Sequence, residues 1–470
     1  MQSNLRRIYV SVSAVCILLA LAAGAAAQVE LSPVLHSSID RIANDTLKST
    51  GVPSASVAIV QNGHVAYLQA YGDARLEPPT PAKPAMRYSI GSISKQFTAT
   101  AILLLQERGK LSLEDPVGKY IPGLTRGNEV TIREVLSHTS GYQDDWPQDY
   151  VMPMMLKPVT TQEILDKWAR IPLDFQPGTK WKYSNTNYTI AGLIVEKVSG
   201  MPLWTLLQKE IFTPLHMTSV TNTDQKALPA SDSAGYIRYA LGPLHPAPKE
   251  GAGWMYAAGE LAMTAEDLAK WDISMIDQAM LKPTSYQQME REVQLKNGIG
   301  TRYGLGLGIG NISGHRQLEH SGEVSGYTAE NIVLPDDKLA IVVLTNQDAA
   351  GAASQMGSQI RAELLQALQP QSSEKDALIR SIYEGLQQGK IDRSLFTSNC
   401  NFYFTDEALK DYASSLGPLG VPQSFTPLGT SLRGGMTHRL YSVKYPSKEL
   451  ILNIYEMLDG KIEQYLVTTR

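Results

Sequence analysis

Tyr88-Ser89-Ile90-Gly91-Ser92-Ile93-Ser94-Lys95, followed by an apolar run from Phe97, is the stretch on which the reading of this chain turns. Ser92 and Lys95 stand three residues apart, a spacing that shares one face of a helix. That helix is predicted to run to about Arg108 and to stop at Gly109. A serine hydroxyl is a weak nucleophile at neutral pH unless a base lies within hydrogen-bond reach. A lysine kept neutral is such a base. The tetrad therefore proposes acyl transfer through an acyl-serine. Alone it is a weak signal, because a solvated serine beside a surface lysine has the same spacing.

On either side of the tetrad the pattern changes to strands. Val57, Ile59, Val65 and Tyr67 alternate around Asn62-Gly63, which predicts a hairpin over 54–71. Pro78-Pro79-Thr80-Pro81 breaks the chain after it. A helical, loop-rich middle is expected over about 112–290. Strands return at 303–310, 317–320, 328–334 and 339–344, with a turn at Pro335-Asp336-Asp337 and a closing helix over 352–368. Strands from both ends of this region imply one antiparallel sheet packed by a helical insertion, with a cleft between the two. Gly304, Gly306, Gly308 and Gly310 alternate and suit a strand with one bare face against a helix.

Gln369-Pro370-Gln371-Ser372-Ser373 reads as a linker over 369–374, separating a domain at 28–368 from a small α+β unit at 375–470. In that unit, Ala377, Ile379 and Ile382 suggest an amphipathic helix. Alternation at Tyr441, Val443, Tyr445 and at Leu450, Leu452, Ile454 suggests strands, and Asp459-Gly460 turns into another at 462–467.

The first 27 residues read as a cleaved signal peptide: Arg6 and Arg7, an apolar run at 8–23, then Ala25-Ala26-Ala27. A periplasmic or secreted protein is expected. Of the two cysteines, Cys16 lies in that run, so the mature chain keeps only Cys400, expected on a strand, and no intramolecular disulfide. A formal charge of −4 and no long basic run argue against nucleic acid as a partner. The eight histidines include no H-E-x-x-H, and neither a metal nor an organic cofactor is expected.

Two further motifs carry chemistry. Tyr183-Ser184-Asn185 offers a phenol that could relay protons if Lys95 lowered its pKa, and an amide that could hold substrate or orient Lys95. The same tripeptide also suits an ordinary turn. His320-Ser321-Gly322 stands at the end of a predicted strand. Gly322 would let substrate approach the backbone, and the Glu323 amide could join that of Ser92 in an oxyanion hole. Asp144, Asp145 and Trp146 read as loop residues that could edge the cleft, and Trp254 and Tyr256 as either core or acyl-pocket residues.

Taken in order, Ser92-x-x-Lys95, Tyr183-x-Asn185 and His320-Ser321-Gly322 resemble the three active-site elements of the serine β-lactamase and penicillin-binding protein fold. The Tyr-x-Asn form is similar to the class C β-lactamase-like branch, with its esterases and D-amino-acid peptidases. Leu136-Ser137-His138-Thr139-Ser140-Gly141 resembles a characteristic loop of that branch, and Asp115-Pro116-Val117, Pro177-Gly178 and Tyr303-Gly304-Leu305-Gly306 also match. The resemblance covers about 35–365. It implies an α+β domain, a β-lactamase/transpeptidase-like antiparallel sheet flanked by helices with an all-helical insertion. The C-terminal unit resembles cystatin-like or NTF2-like accessory domains.

The resemblance also implies roles. Ser92 would attack a carbonyl, Lys95 and Tyr183 would share acid and base work, and the amides of Ser92 and Glu323 would bind the oxyanion. Asn185, His320, Ser321, Gly322 and Glu323 would contact substrate. Lactamases usually carry lysine where His320 stands, and a neutral imidazole is a weaker carboxylate anchor. The expectation is an exported serine hydrolase acting on a small ester, amide or D-amino-acid peptide. The alternatives are a β-lactamase or D,D-peptidase, and a non-catalytic cell-wall or ligand-binding protein on the same scaffold.

Overall fold

A computed structural model of the chain describes residues 31–368 and 370–469. The expected signal peptide, with Cys16, lies outside the described residues. Among those described, no single helix is long and apolar enough to cross a membrane.

The predicted hairpin forms from Ser54–Gln61 and His64–Leu76, turning at Asn62 and Gly63, both at positive φ. Ser54–Gln61 pairs on its other side with Leu339–Thr345, with Ile59 opposite Ile341 and Val57 opposite Val343. Both ends of the domain thus meet at the centre of one seven-stranded antiparallel sheet. Its order is Pro79–Pro81, His64–Leu76, Ser54–Gln61, Leu339–Thr345, Tyr327–Leu334, His315–Val324 and Gly308–Ile312. The central strands are buried along their length, as continuous apolar runs covered on both faces should be. Alternation along Tyr327–Leu334 shows the two coverings. Glu330 and Ile332 meet the helix Ala352–Leu368 at Gly357, while Asn331 donates to Asp272 of the helix Ala265–Ile276.

The helix Ser94–Glu107 is buried from Ser94 to Leu105. A helix apolar on all sides belongs in a core, not on a surface. Gln96 fixes it there, donating to Asn331 at 3.1 Å and accepting from the Trp271 indole at 2.8 Å. Ser92 falls in the 3-10 turn Gly91–Ile93 that leads directly into this helix.

Four expectations need correction. The insertion is not all-helical: Leu261–Met263 pairs with Tyr88–Ser89 and Thr221–Asn222, and Tyr236–Arg238 pairs with Leu244–Pro246. Pairings of two or three residues are too short to leave a periodic signal. Of the alternating glycines, only Gly308 and Gly310 lie in a strand, while Gly306 takes φ +81° and rests on the Lys95 carbonyl. The linker is instead the start of a helix, Pro370–Gln387, because proline's fixed φ and missing N–H suit a first turn. Cys400 is helical, within Ser398–Tyr403, because the Thr397 hydroxyl caps its amide.

The chain divides into two compact units at Arg361/Ala362, a few residues before the expected boundary. The second holds a four-stranded antiparallel sheet in sequence order, Ser424–Arg433, Met436–Lys444, Glu449–Glu456 and Ile462–Thr469. Its core gathers Ile379, Ile382, Tyr383, Leu452, Ile454 and Tyr465, so the predicted helix and strands are present.

Candidate active site

Ser92 opens into a cleft of about 500 Å³ in the first unit. Lys95 lies beneath it, fully buried, its Nζ 2.9 Å from Ser92 Oγ. The same nitrogen is 2.8 Å from Asn185 Oδ1 and 2.8 Å from the Ala258 carbonyl. A neutral amine has two hydrogens and one lone pair. Two fixed acceptors take the hydrogens and leave the lone pair for the Ser92 hydroxyl. Burial lowers the Lys95 pKa to about 7, against the pull of Asp144 and then Asp145, whose charges favour the ammonium.

Tyr183 precedes the helix Asn185–Ser199, and its hydroxyl faces Ser92. Its ring centroid is 5.0 Å from Lys95 Nζ. Here the structure differs from expectation: burial pushes the phenol well above its ordinary range, so Tyr183 is a protonated donor. Its position rests on the His138-Thr139-Ser140-Gly141 loop. His138, at φ +59°, accepts from the Ser184 amide through Nδ1 at 3.2 Å, and its ring centroid is 4.3 Å from that of Tyr183. Ser140 donates to Asn187 at 2.6 Å.

Asn185 serves the lysine. Its Oδ1 holds Lys95 while its backbone amide donates to Asp144 Oδ1 at 2.8 Å, though the residue also lines the cleft. Asp145 lies deeper, accepting from Thr186 at 2.9 Å, with its pKa pushed up to about 7 by burial and then by Asp144. Reading the acid pair as loop residues missed this link to Lys95. Their place directly after the His138 loop was the available signal. The Ala258 carbonyl had none, because a backbone acceptor leaves no mark on residue identity.

His320-Ser321-Gly322 lies within the strand His315–Val324, which runs past the predicted end. His320 is buried, its Nδ1 2.5 Å from the Ser321 carbonyl and its Nε2 2.8 Å from the Tyr303 hydroxyl. Nδ1–H therefore donates, and Nε2 accepts from Tyr303. Burial, then the charge of Lys95, lowers its pKa to about 4, so the ring is neutral at pH 7. Ser321 and Glu323 line the cleft. Gly322 is not among the lining residues. A Cβ there would stand 1.9 Å from the Ile90 carbonyl, so its bareness admits the backbone just before Ser92, not substrate. Gly91, at φ +50°, is the reciprocal contact, where a Cβ would meet the Glu323 nitrogen at 2.6 Å. These close approaches bring the backbone at Ser92 and at Glu323 together: a Cβ on Gly322 would also stand 3.4 Å from the Ser92 nitrogen.

Trp254 lines the cleft and Tyr256 is not among its lining residues. The structure thus gathers Ser92, Lys95, Tyr183, Asn185, His320, Ser321 and Glu323 from three separate segments.

The Beta-lactamase family model matches residues 39–366. Penicillin-binding protein 4* of Bacillus subtilis is 28% identical over 309 residues, 63% of this chain and 68% of that protein. The chain spans between 62% and 72% of the length of the curated relatives it matches. A D-stereospecific amidohydrolase from Streptomyces superposes with a TM-score of 0.60 at 27% identity, covering 68% of this chain and 97% of that one. An octameric penicillin-binding protein homologue from Pyrococcus abyssi shares the fold over 93% of this chain and 96% of its own, with a TM-score of 0.61 at 23% identity. A matched family over most of the chain, together with a serine–lysine pair at hydrogen-bond distance, places this protein in the β-lactamase family, as a serine hydrolase.

Proposed function

We propose that the chain is an exported hydrolase that forms and then hydrolyses an acyl-Ser92 intermediate on a small ester, amide or D-amino-acid peptide. The observation that carries this reading is the triple contact of Lys95 with Ser92, Asn185 and Ala258. The neutral amine takes the Ser92 proton as Oγ bonds to the substrate carbonyl carbon. The amides of Ser92 and Glu323 receive the oxyanion. As the tetrahedral species collapses, the Tyr183 hydroxyl gives its proton to the departing oxygen or nitrogen and is reprotonated from Lys95. Water then replaces the leaving group, loses its proton along the same route, and releases the acid and free Ser92.

Amide or ester substrates fit better than β-lactams. The carboxylate of a β-lactam needs a cation, and His320 is neutral with both ring nitrogens engaged. The Streptomyces relative is named a D-stereospecific amidohydrolase, which supports the amide end of the range. Export rests on the sequence of residues 1–27.

A panel of a chromogenic cephalosporin, short-chain aryl esters and a D-Ala-D-Ala peptide tests the reading, with Ser92→Ala as control. Turnover of esters or the peptide, lost in the control, is expected. Fast cephalosporin turnover lost in Ser92→Ala would replace this reading with a β-lactamase. A chain that turns over nothing, with no Ser92 adduct to a fluorophosphonate, would be a binding protein.

A further inference from the structure

Four carboxylates line the cleft, Asp144, Asp149, Glu323 and Asp348, against one lysine, Lys182. Lys182 is already paired with Asp174. None of the four acids forms an ion pair among the described residues. Three of them are held by backbone amides instead. Asp144 accepts from Asn185 and Trp146, Glu323 from Ala349 at 2.8 Å, and Asp348 from Gly326 at 3.0 Å. Amide donors orient a carboxylate without cancelling its charge. Ala349, next to Asp348, is the residue that donates to Glu323, and the charges of Asp149 and Asp348 both bear on Glu323.

Such crowding is unfavourable without a counter-charge. The nearest cation within the site is Lys95, fully buried beneath Ser92 and needed neutral for the chemistry. His320 adds no positive charge, since its Nε2 is occupied by Tyr303. The cleft that carries the nucleophile therefore presents fixed negative charge to whatever enters. A concave site lined by one sign of charge focuses its field and enriches ligands of the opposite sign.

We propose that this cleft selects small amides and esters that carry a protonated amine, and rejects their N-acylated and carboxylate-bearing analogues. The inference rests on the acyl-Ser92 reading and specifies its substrate class. The ammonium sits among Glu323, Asp348 and Asp149 while the carbonyl lies over Ser92. An N-acyl group removes the charge, and a free carboxylate meets repulsion.

The test uses D-alanine ethyl ester and D-alanine p-nitroanilide, each with the amine free and N-acetylated, together with fluorophosphonate labelling of Ser92. A preference of about tenfold or more in kcat/KM for the free amine is expected, carried mainly by KM. It should shrink as salt shortens the screening length. It should also narrow in Asp348→Asn. Equal or faster turnover of the N-acetylated pair overturns the selectivity and leaves the acyl-enzyme chemistry standing. A preference that ignores both salt and Asp348→Asn also overturns it. So does labelled Ser92 with none of the four substrates turned over. Absent labelling with absent turnover overturns the selectivity and the acyl-Ser92 reading together.

Discussion

Lys95 on the helix side of the site and His320 on the strand side are both bases, both buried, and both pushed down in pKa chiefly by burial. The outcomes are opposite. Lysine starts from 10.5 and falls to about 7, where it exchanges protons at working pH. Histidine starts from 6.5 and falls to about 4, where it no longer does. Neighbours widen the gap. Asp144 and Asp145 pull Lys95 upward, while Lys95 itself pushes His320 down. One desolvating site thus makes a usable base of one residue and a fixed neutral hydrogen-bonding group of the other. The difference lies in reference pKa and in charge partners, not in burial.

The sharpest way to break this contrast is Lys95→Met, which keeps the volume and removes the amine. Turnover should fall by about 10²- to 10⁴-fold, the range of a lost general base. Ser92 labelling by a fluorophosphonate should slow in step. If Tyr183 were the base, the variant would retain most of its rate, and the protonated-donor assignment would be wrong.

The two sides also differ in how far they were legible in the sequence. Ser92 and Lys95 declare themselves by spacing, and Tyr183 and Asn185 by their order after them. The central strands were legible because residues such as Val57 and Ile59 form apolar runs next to an Asn-Gly turn. What stayed hidden is mostly backbone. The Ala258 carbonyl that orients Lys95 has no side-chain signature. Gly322 was noticed, but composition could not tell whether its bare face admits substrate or the Ile90 carbonyl. Tyr183 was read as a proton relay if Lys95 lowered its pKa, whereas burial is the largest influence and raises it, with the Ser92 hydrogen bond pulling the other way. Cys400 was expected on a strand, and the Thr397 hydroxyl that caps its amide decides for helix.

A smaller effect sharpens the comparison by moving one pKa. The rate of acylation should rise with pH and reach half its plateau at about 7, because only neutral Lys95 accepts the Ser92 proton. Asp144→Asn removes the largest charge that favours the ammonium. The Lys95 pKa then falls, and the half-point moves to lower pH. The new side chain can still accept from the Asn185 amide, so the plateau should drop by less than about tenfold. A half-point that stays in place or moves up would mean that Asp144 does not act on Lys95 through charge.

The smallest effect belongs to the strand side. His320→Gln keeps an oxygen that can accept from the Tyr303 hydroxyl and loses the titratable ring. Because His320 is already neutral above about pH 5, its proton takes no part in the reaction at working pH. The pH profile should keep its half-point near 7, and kcat/KM should change by less than about fivefold, as for loss of packing and not of a proton-transfer group. A profile that loses its rising limb in this variant would reassign the base to the strand side. A profile that keeps it, beside a Lys95→Met enzyme that has lost its rate, would leave proton transfer entirely to the helix side.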